Sequence, residues 1–281
     1  TGIIFSETHE PEDSSSQICN TERKVVSMII SFANQKGGVG KTTSAVNIAA
    51  TVASLGKKVL LLDIDPQGNA STGVGFMDRS NLRSSYDLLT SDLPANEAIY
   101  HTEFKNLDVI PSAIHLAGAE LEIAELDSRE RILKRGLAII KDQYDYIFID
   151  CPPTLGLLTL NSLVASDGMI IPVLCEFYAL EGLVQLTNTV ENVKAYHNPG
   201  LETIGILITM YNSRLNISQS IINDLRNHYG NLIFRTPVVR NVRLAEAPSY
   251  GTPILYLDKF SKGAQNYMAI SKELIERTEK R

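Results

Sequence analysis

"VVSMIISFANQKGGVGKTTSAVNIAATVASLG", Val25–Gly56, decides how the chain must begin to fold. Val25–Ala33 is a nearly unbroken apolar run of strand length, which needs cover on both faces. Three glycines follow within four residues, Gly37, Gly38 and Gly40. Thr42–Gly56 then repeats apolar residues at helical spacing and stops on a glycine. A buried strand, a glycine turn and an amphipathic helix, in that order, predict the first half of a parallel β-α-β unit.

The rest of the chain repeats the pattern. Lys58–Asp65, Asn106–Ser112, Tyr144–Pro153, Gly168–Val173 and Thr203–Thr209 read as further strands. Leu116–Tyr144 (as two pieces), Glu181–Tyr196, Ser218–Tyr229 and Gly263–Arg281 read as helices. The expected fold class is therefore α/β, a mainly parallel twisted sheet with helices on both faces. With no internal repeat and no linker-like stretch, residues 25–281 are expected to form a single domain, preceded by an acidic, Ser-rich flexible tail over residues 1–24.

Composition narrows the function classes. Hydrophobic residues make up 44% and charged residues 21%, enough apolar material for a large core. The formal net charge of −6 gives no global basic field, yet Gly200–Arg281 holds 11 basic against 7 acidic residues, compatible with a local basic patch. Three cysteines, Cys19, Cys151 and Cys175, without CxxC spacing, argue against a disulfide scaffold or a structural zinc site and fit a cytoplasmic setting. No apolar run reaches membrane-spanning length.

Between the first strand and helix, "GGVGKTT" (Gly37–Thr43) has the chemistry of a phosphate cradle. Glycines let backbone N–H groups turn inward at the positive end of a helix dipole. Gly37, Gly38, Val39, Gly40 and Thr43 would line the phosphates, Lys41 would reach their β and γ oxygens, and the Thr42 hydroxyl would complete a Mg²⁺ shell. Two strands end in carboxylates that would line the same crevice: "LLLDIDPQGNAS" carries Asp63 and Asp65, and "YIFIDCPP" carries Asp150. Cys151 has no His/Asp partner pattern and reads as a packed residue.

The spacing departs from GxxxxGK[ST]: Gln35 stands where the first glycine would fall, and a second lysine, Lys36, opens the loop. In this the chain resembles the ParA/MinD class of P-loop ATPases, whose deviant Walker A motif has such a lysine. "LLDIDPQGNAS" and "NVRLAEAPSYG" are similar to the ParA/Soj partition branch in particular. The resemblance, which runs from Lys24 to the C-terminus, implies a P-loop NTPase fold, ATP/ADP and Mg²⁺ as cofactors, and a homodimer formed with ATP. Lys36 would then cross to the partner's nucleotide and act in catalysis with Lys41 and Asp65, the last orienting the attacking water. Asp150 and Thr42 would serve the metal. Asp63 would support the metal side, or cap the following helix. Asn241 would contact adenine, although Val239 stands where a proline often precedes it. Arg214, Arg243 and, as a third candidate, Arg240 would contact non-specific double-stranded DNA.

The same resemblance implies a ParB-type partner and a place on the bacterial nucleoid. A MinD-like membrane-cycling division regulator is the alternative within the class. It needs a basic amphipathic C-terminal helix, and "AISKELIERTEKR" lacks a broad apolar face, so no stable membrane association is expected. An iron–sulfur carrier would need cysteines at positions that the chain does not fill. Chromosome or plasmid cargo stays open.

Overall fold

A computed structural model describes residue 2, residues 27–176 and residues 179–280. The expected tail, residues 1–24, lies outside the described residues apart from Gly2, as do the first two positions of the opening strand. Seven strands form one sheet: β1 (Met28–Phe32), β2 (Val59–Asp63), β3 (Tyr100–His101), β4 (Leu107–Ile110), β5 (Tyr146–Asp150), β6 (Gly168–Leu174) and β7 (Glu202–Thr209). Their order is β3-β4-β2-β5-β1-β6-β7. Each neighbouring pair is parallel except β3 with β4. The short antiparallel edge was not legible in the sequence, because two residues cannot show a periodicity.

Alternate strand residues feed two separate cores, as period-2 geometry requires. On one face Leu60, Leu62, Ile147, Ile149 and Ile171 pack among residues of the helices Ile132–Ala138, Leu157–Ala165 and Ala179–Tyr196. On the other face Ile30, Phe32, Leu61, Phe148 and Leu207 meet the helices Lys41–Ser54 and Lys262–Glu279. Residue pairs unite the middle of the sheet in register, including Phe32 opposite Asp150 and Asp63 opposite Asp150. The carboxyl ends of β1, β2 and β5 therefore open at one edge. Strand order also reverses there, since the chain leaves β1 for β2 on one side and later leaves β5, crossing over β1, for β6 on the other. Open α/β sheets hold their ligands at such a point.

The region Leu116–Tyr144 is two helices, Leu116–Ile123 and Ile132–Ala138, broken at Ser128, whose φ of 54° is left-handed. Leu157–Ala165 is an additional helix that hydrophobic periodicity did not single out, since most of its residues are buried and it presents little polar stripe.

Within β7 a glycine is required by space. A Cβ on Gly205 would lie 2.6 Å from the Phe234 ring, 2.9 Å from Arg277 Nη1 and 3.0 Å from the Leu232 carbonyl oxygen. Arg277 cannot easily yield, because it donates to the carbonyls of Ile204, Leu232 and Ile233 and to the buried Glu273. Gly205→Ala is expected to cost about 1–3 kcal/mol by overpacking, lowering the thermal midpoint by about 2–10 °C. Calorimetry on the purified variant checks this, and an unchanged midpoint would contradict the packing described.

Candidate functional site

The loop after β1 is held open from several sides. Asn34 Nδ2 donates to the Pro172 carbonyl at 2.7 Å, Lys36 N–H to Asn34 Oδ1 at 3.0 Å, and Thr209 Oγ1 to the Val39 carbonyl at 2.8 Å. Gly38 and Gly40 take φ of 71° and 81°, which side chains rarely tolerate. Gly40 starts the helix Lys41–Ser54 without any side-chain cap, so the first N–H groups are left for an anion.

The two loop lysines are placed in opposite environments. Lys41 is only 6% exposed. Its Nζ donates to the Lys36 carbonyl at 3.3 Å. Burial lowers its pKa, an effect that the attraction of Asp150 partly offsets. Lys36 is exposed and bonded to Glu176 of its own chain at 2.7 Å. Sequence reasoning missed Glu176, which only the approach of the β6 end to the loop reveals.

Three carboxylates meet opposite Lys41. Both oxygens of Asp150 are buried and have no hydrogen-bond partner among the described residues. Its pKa is raised by burial and, next, by the charge of Asp63, with Thr42 and Lys41 opposing. Such an orphaned carboxylate beside a loop hydroxyl fits a hard divalent cation, with Asp150 and Thr42 as its protein holders. Among the described residues no group of three or more His, Cys, Asp or Glu could hold a metal by itself. Phosphate and water oxygens would have to supply the remaining ligands, as is usual for Mg²⁺.

Asp63, expected either on the metal side or as a cap, is bonded to the loop that follows it. Its Oδ2 accepts from Ser71 N–H and Ser71 Oγ, both at 2.7 Å, and its Oδ1 from Asp65 N–H at 3.2 Å. Ser71 is the third residue of the helix Asn69–Gly73, so Asp63 satisfies one of its free N–H groups. Burial still pushes its pKa up to about 6. Asp65 is nearly buried and turns Oδ1 toward Gln67 N–H at 3.0 Å.

Asn241 caps the helix Val242–Glu246, its Oδ1 accepting from Leu244 N–H at 3.0 Å. It lines a cavity of about 340 Å³ with Gly40, Thr43, Val239, Leu244 and Tyr267, adjoining the loop. Val239, in the place of a proline, keeps an N–H that donates to Asn266 Oδ1 at 3.2 Å.

Of the three candidate arginines, Arg214 and Arg240 are exposed, with no side-chain partner among the described residues. Arg243 is paired with Glu246 at 3.1 Å and, more loosely, Asp258 at 3.9 Å. The bridge between Tyr211 and Val239, with Arg240 N–H donating to the Tyr211 carbonyl at 3.1 Å, draws the segments of Arg214 and Arg240 together. Arg240, the weakest of the three by sequence, is thus freer than Arg243.

A family model described as an AAA domain matches residues 27–203. The chain is 50% identical over 246 residues to the sporulation initiation inhibitor protein Soj of Bacillus subtilis, covering 88% of this chain and 97% of that protein. It is 48% identical to the chromosome partitioning protein ParA of Myxococcus xanthus, covering 90% of this chain and 89% of that protein. Among solved structures it is similar, at 34% identity and a TM-score of 0.79, to one described as a cobyrinic acid a,c-diamide synthase from Mycobacterium smegmatis with bound ADP and magnesium, covering 90% of this chain and 96% of the other.

The raised carboxylates carry a pH consequence. Asp63 holds its proton to about pH 6 in the folded chain but only to 3.8 when free, so the folded state binds more protons between those values. Stability therefore falls as pH rises through that window, and Asp150 adds in the same sense. Without nucleotide or metal, Asp150→Asn is expected to raise the thermal midpoint at pH 7 by a few degrees and to flatten its fall as pH rises above the ordinary carboxylate range. With Mg²⁺ and nucleotide added, the parent chain is expected to gain more than the variant. Thermal scans across pH check both, and equal slopes in the two proteins would contradict the assignment.

Proposed function

The chain belongs to the ParA/Soj family of partition ATPases, and from that premise we propose that it binds DNA as an ATP-held dimer and lets go on hydrolysis. The observation that carries this reading is the split between the loop lysines, Lys41 buried beside Asp150 and Lys36 exposed at the mouth. One cation would serve the site within the chain, and the other, held only by its exposed pair with Glu176, would serve a site outside it.

ATP would lie with its phosphates on Gly37–Thr43 and its adenine in the cavity lined by Asn241 and Val239. The Asn241 oxygen is engaged in its cap, which leaves the amide NH₂ to donate to the base. Lys41 would contact the β- and γ-phosphates, and Thr42 and Asp150 would hold Mg²⁺. When bound, the cation offsets phosphate charge and steadies the leaving group. Asp65, with Oδ1 fixed by Gln67, would turn Oδ2 to a water in line with the γ-phosphorus. Water attacks, the bond to the β-γ bridging oxygen breaks, and ADP and phosphate leave. Lys36, released from Glu176, would reach the partner's γ-phosphate and stabilise the charge that develops there, as an arginine finger does.

Pairing two chains would double the count of exposed arginines on one assembly. Arg214 and Arg240, with Arg243 beside them, would bind phosphates without reading sequence. Affinity that rises with the number of phosphate contacts gives an acidic chain a DNA-binding state that depends on nucleotide. A ParB-type partner would accelerate the slow basal hydrolysis, and the ATP form would sit on the nucleoid in the cytoplasm. The MinD-like alternative gains no support from the last helix. Tyr267, Ile270 and Leu274 of Lys262–Glu279 are buried in the core it shares with Lys41–Ser54, and no helix of the described residues is long and apolar enough to cross a membrane.

Two measurements test the reading. DNA retention with ADP and with ATP across a salt series is expected only with ATP, and Arg214→Ala is expected to lower the log–log salt slope by about 2, one phosphate contact per subunit. Equal retention with both nucleotides would reject the switch. Lys36→Ala is expected to abolish ATP-dependent dimers by light scattering while sparing nucleotide binding, and unchanged dimers would reject the crossing lysine.

A further inference from the structure

Three serines that no motif singles out, Ser71, Ser85 and Ser112, are fully buried around the Asp63–Asp65 turn. Ser112 follows the end of β4 and grips that turn twice. Its Oγ donates to the Asp65 carbonyl at 2.6 Å, and its N–H donates to Ser71 Oγ at 3.0 Å. Ser71 Oγ in turn donates to Asp63 Oδ2. One residue earlier, the Pro111 carbonyl accepts from Ser85 N–H at 2.9 Å, and Ser85 Oγ donates to the Asp63 carbonyl at 2.7 Å. The end of β4 therefore holds both carboxylate-bearing residues of β2 and its loop.

The Asp65 peptide has few other anchors. Residue 66 is proline, so the bond that follows Asp65 offers no N–H, and its position depends on what the Asp65 carbonyl accepts. Besides Ser112 Oγ, that carbonyl accepts only Gly68 N–H, at 2.9 Å, among the described residues. Gly68 belongs to the same turn and moves with it. The N–H side of Asp65 is tied to β2 through Asp63 Oδ1 and, one residue earlier, Ile64 N–H is tied to the Asp150 carbonyl, so Ser112 is the contact that refers the carbonyl side of Asp65 to the end of β4.

We infer that Ser112 is a positioning residue for ATP hydrolysis: its hydroxyl sets where the Asp65 carboxylate meets the attacking water. The inference rests on the reading of Asp65 given above. A carboxylate that orients water loses rate steeply with displacement, by about a hundredfold for an ångström, whereas nucleotide binding on Gly37–Thr43 does not pass through this contact. Ser112→Ala removes the hydroxyl but keeps the backbone N–H that holds Ser71, so the loop closes with one tether fewer.

The test is single-turnover phosphate release by the full chain with Mg²⁺ and ATP, in the parent, Ser112→Ala, Asp65→Asn and the double variant. Ser112→Ala is expected to lower the rate roughly tenfold to a hundredfold with ATP affinity unchanged, and to lower it less than about twofold in the Asp65→Asn background, because groups that act as a unit are not additive. An equal loss in both backgrounds would mean that Ser112 only supports the fold, and would overturn the inference. So would a parent-like rate for Ser112→Ala beside an inactive Asp65→Asn, which leaves the role of Asp65 standing. A parent-like rate for Asp65→Asn would reject the role of Asp65 and the inference with it. Should Ser112→Ala fail to fold, Ser112→Cys, near in size and a weaker donor, carries the same comparison and is expected to fall between the parent and Asp65→Asn.

Discussion

Parallel pairing of β2 with β5 brings Asp63 and Asp150 into register at the centre of the sheet, both fully buried. Two carboxylates in a low-dielectric site cannot both ionise without help. The chain deals with them differently. Asp63 is supplied with three hydrogen bonds from the loop after it, and Asp150 with none among the described residues. Lys41, itself destabilised by burial, is the nearby positive charge. The site is thus poised for added positive charge, and a nucleotide with its cation brings ligand and counter-charge together.

The outer lysine obeys different energetics. Its bridge to Glu176 has both side chains more than half exposed, and a pair of that kind contributes at most about 1 kcal/mol. That pair would oppose the proposed crossing of Lys36 only weakly. A triphosphate in a closed interface, away from water, would offer it a far stronger field. Placement of the two lysines on opposite sides of the glycines gives one loop a buried charge and an exposed one.

The loop that Asp63 organises also touches the segment bearing the arginines. The helix Asn69–Gly73 packs on Ala247–Tyr250, and Gly75 and Gly251 approach so closely that a Cβ on Gly251 would lie 3.0 Å from Gly75 Cα. Backbone against backbone leaves no side chain to absorb a shift. The Asp63–Asp65 turn is thus linked through Asn69–Gly73 to the residues after Arg243, a contact that would carry a displacement of the turn to that segment.

Strand–turn–helix alternation was legible in the sequence because the central strands are apolar on both faces and a proline soon follows β2, β4 and β5. Loop, carboxylates and both lysines could be named for the same reason: their spacing is local to one turn. The edge strand Tyr100–His101, the helix Leu157–Ala165 and the serines around Asp65 were not legible, since they are defined by what packs on them rather than by any repeat. Sequence likewise ranked Arg243 above Arg240, yet Glu246 and Asp258 occupy the former, while the latter has no side-chain partner among the described residues. The sequence by itself determined which groups are present and the α/β order that carries them. Tertiary structure alone decided which of those groups are already bonded, because Asp63 meets Asp150, Lys36 meets Glu176 and Ser112 meets Asp65 across separations that no local pattern encodes.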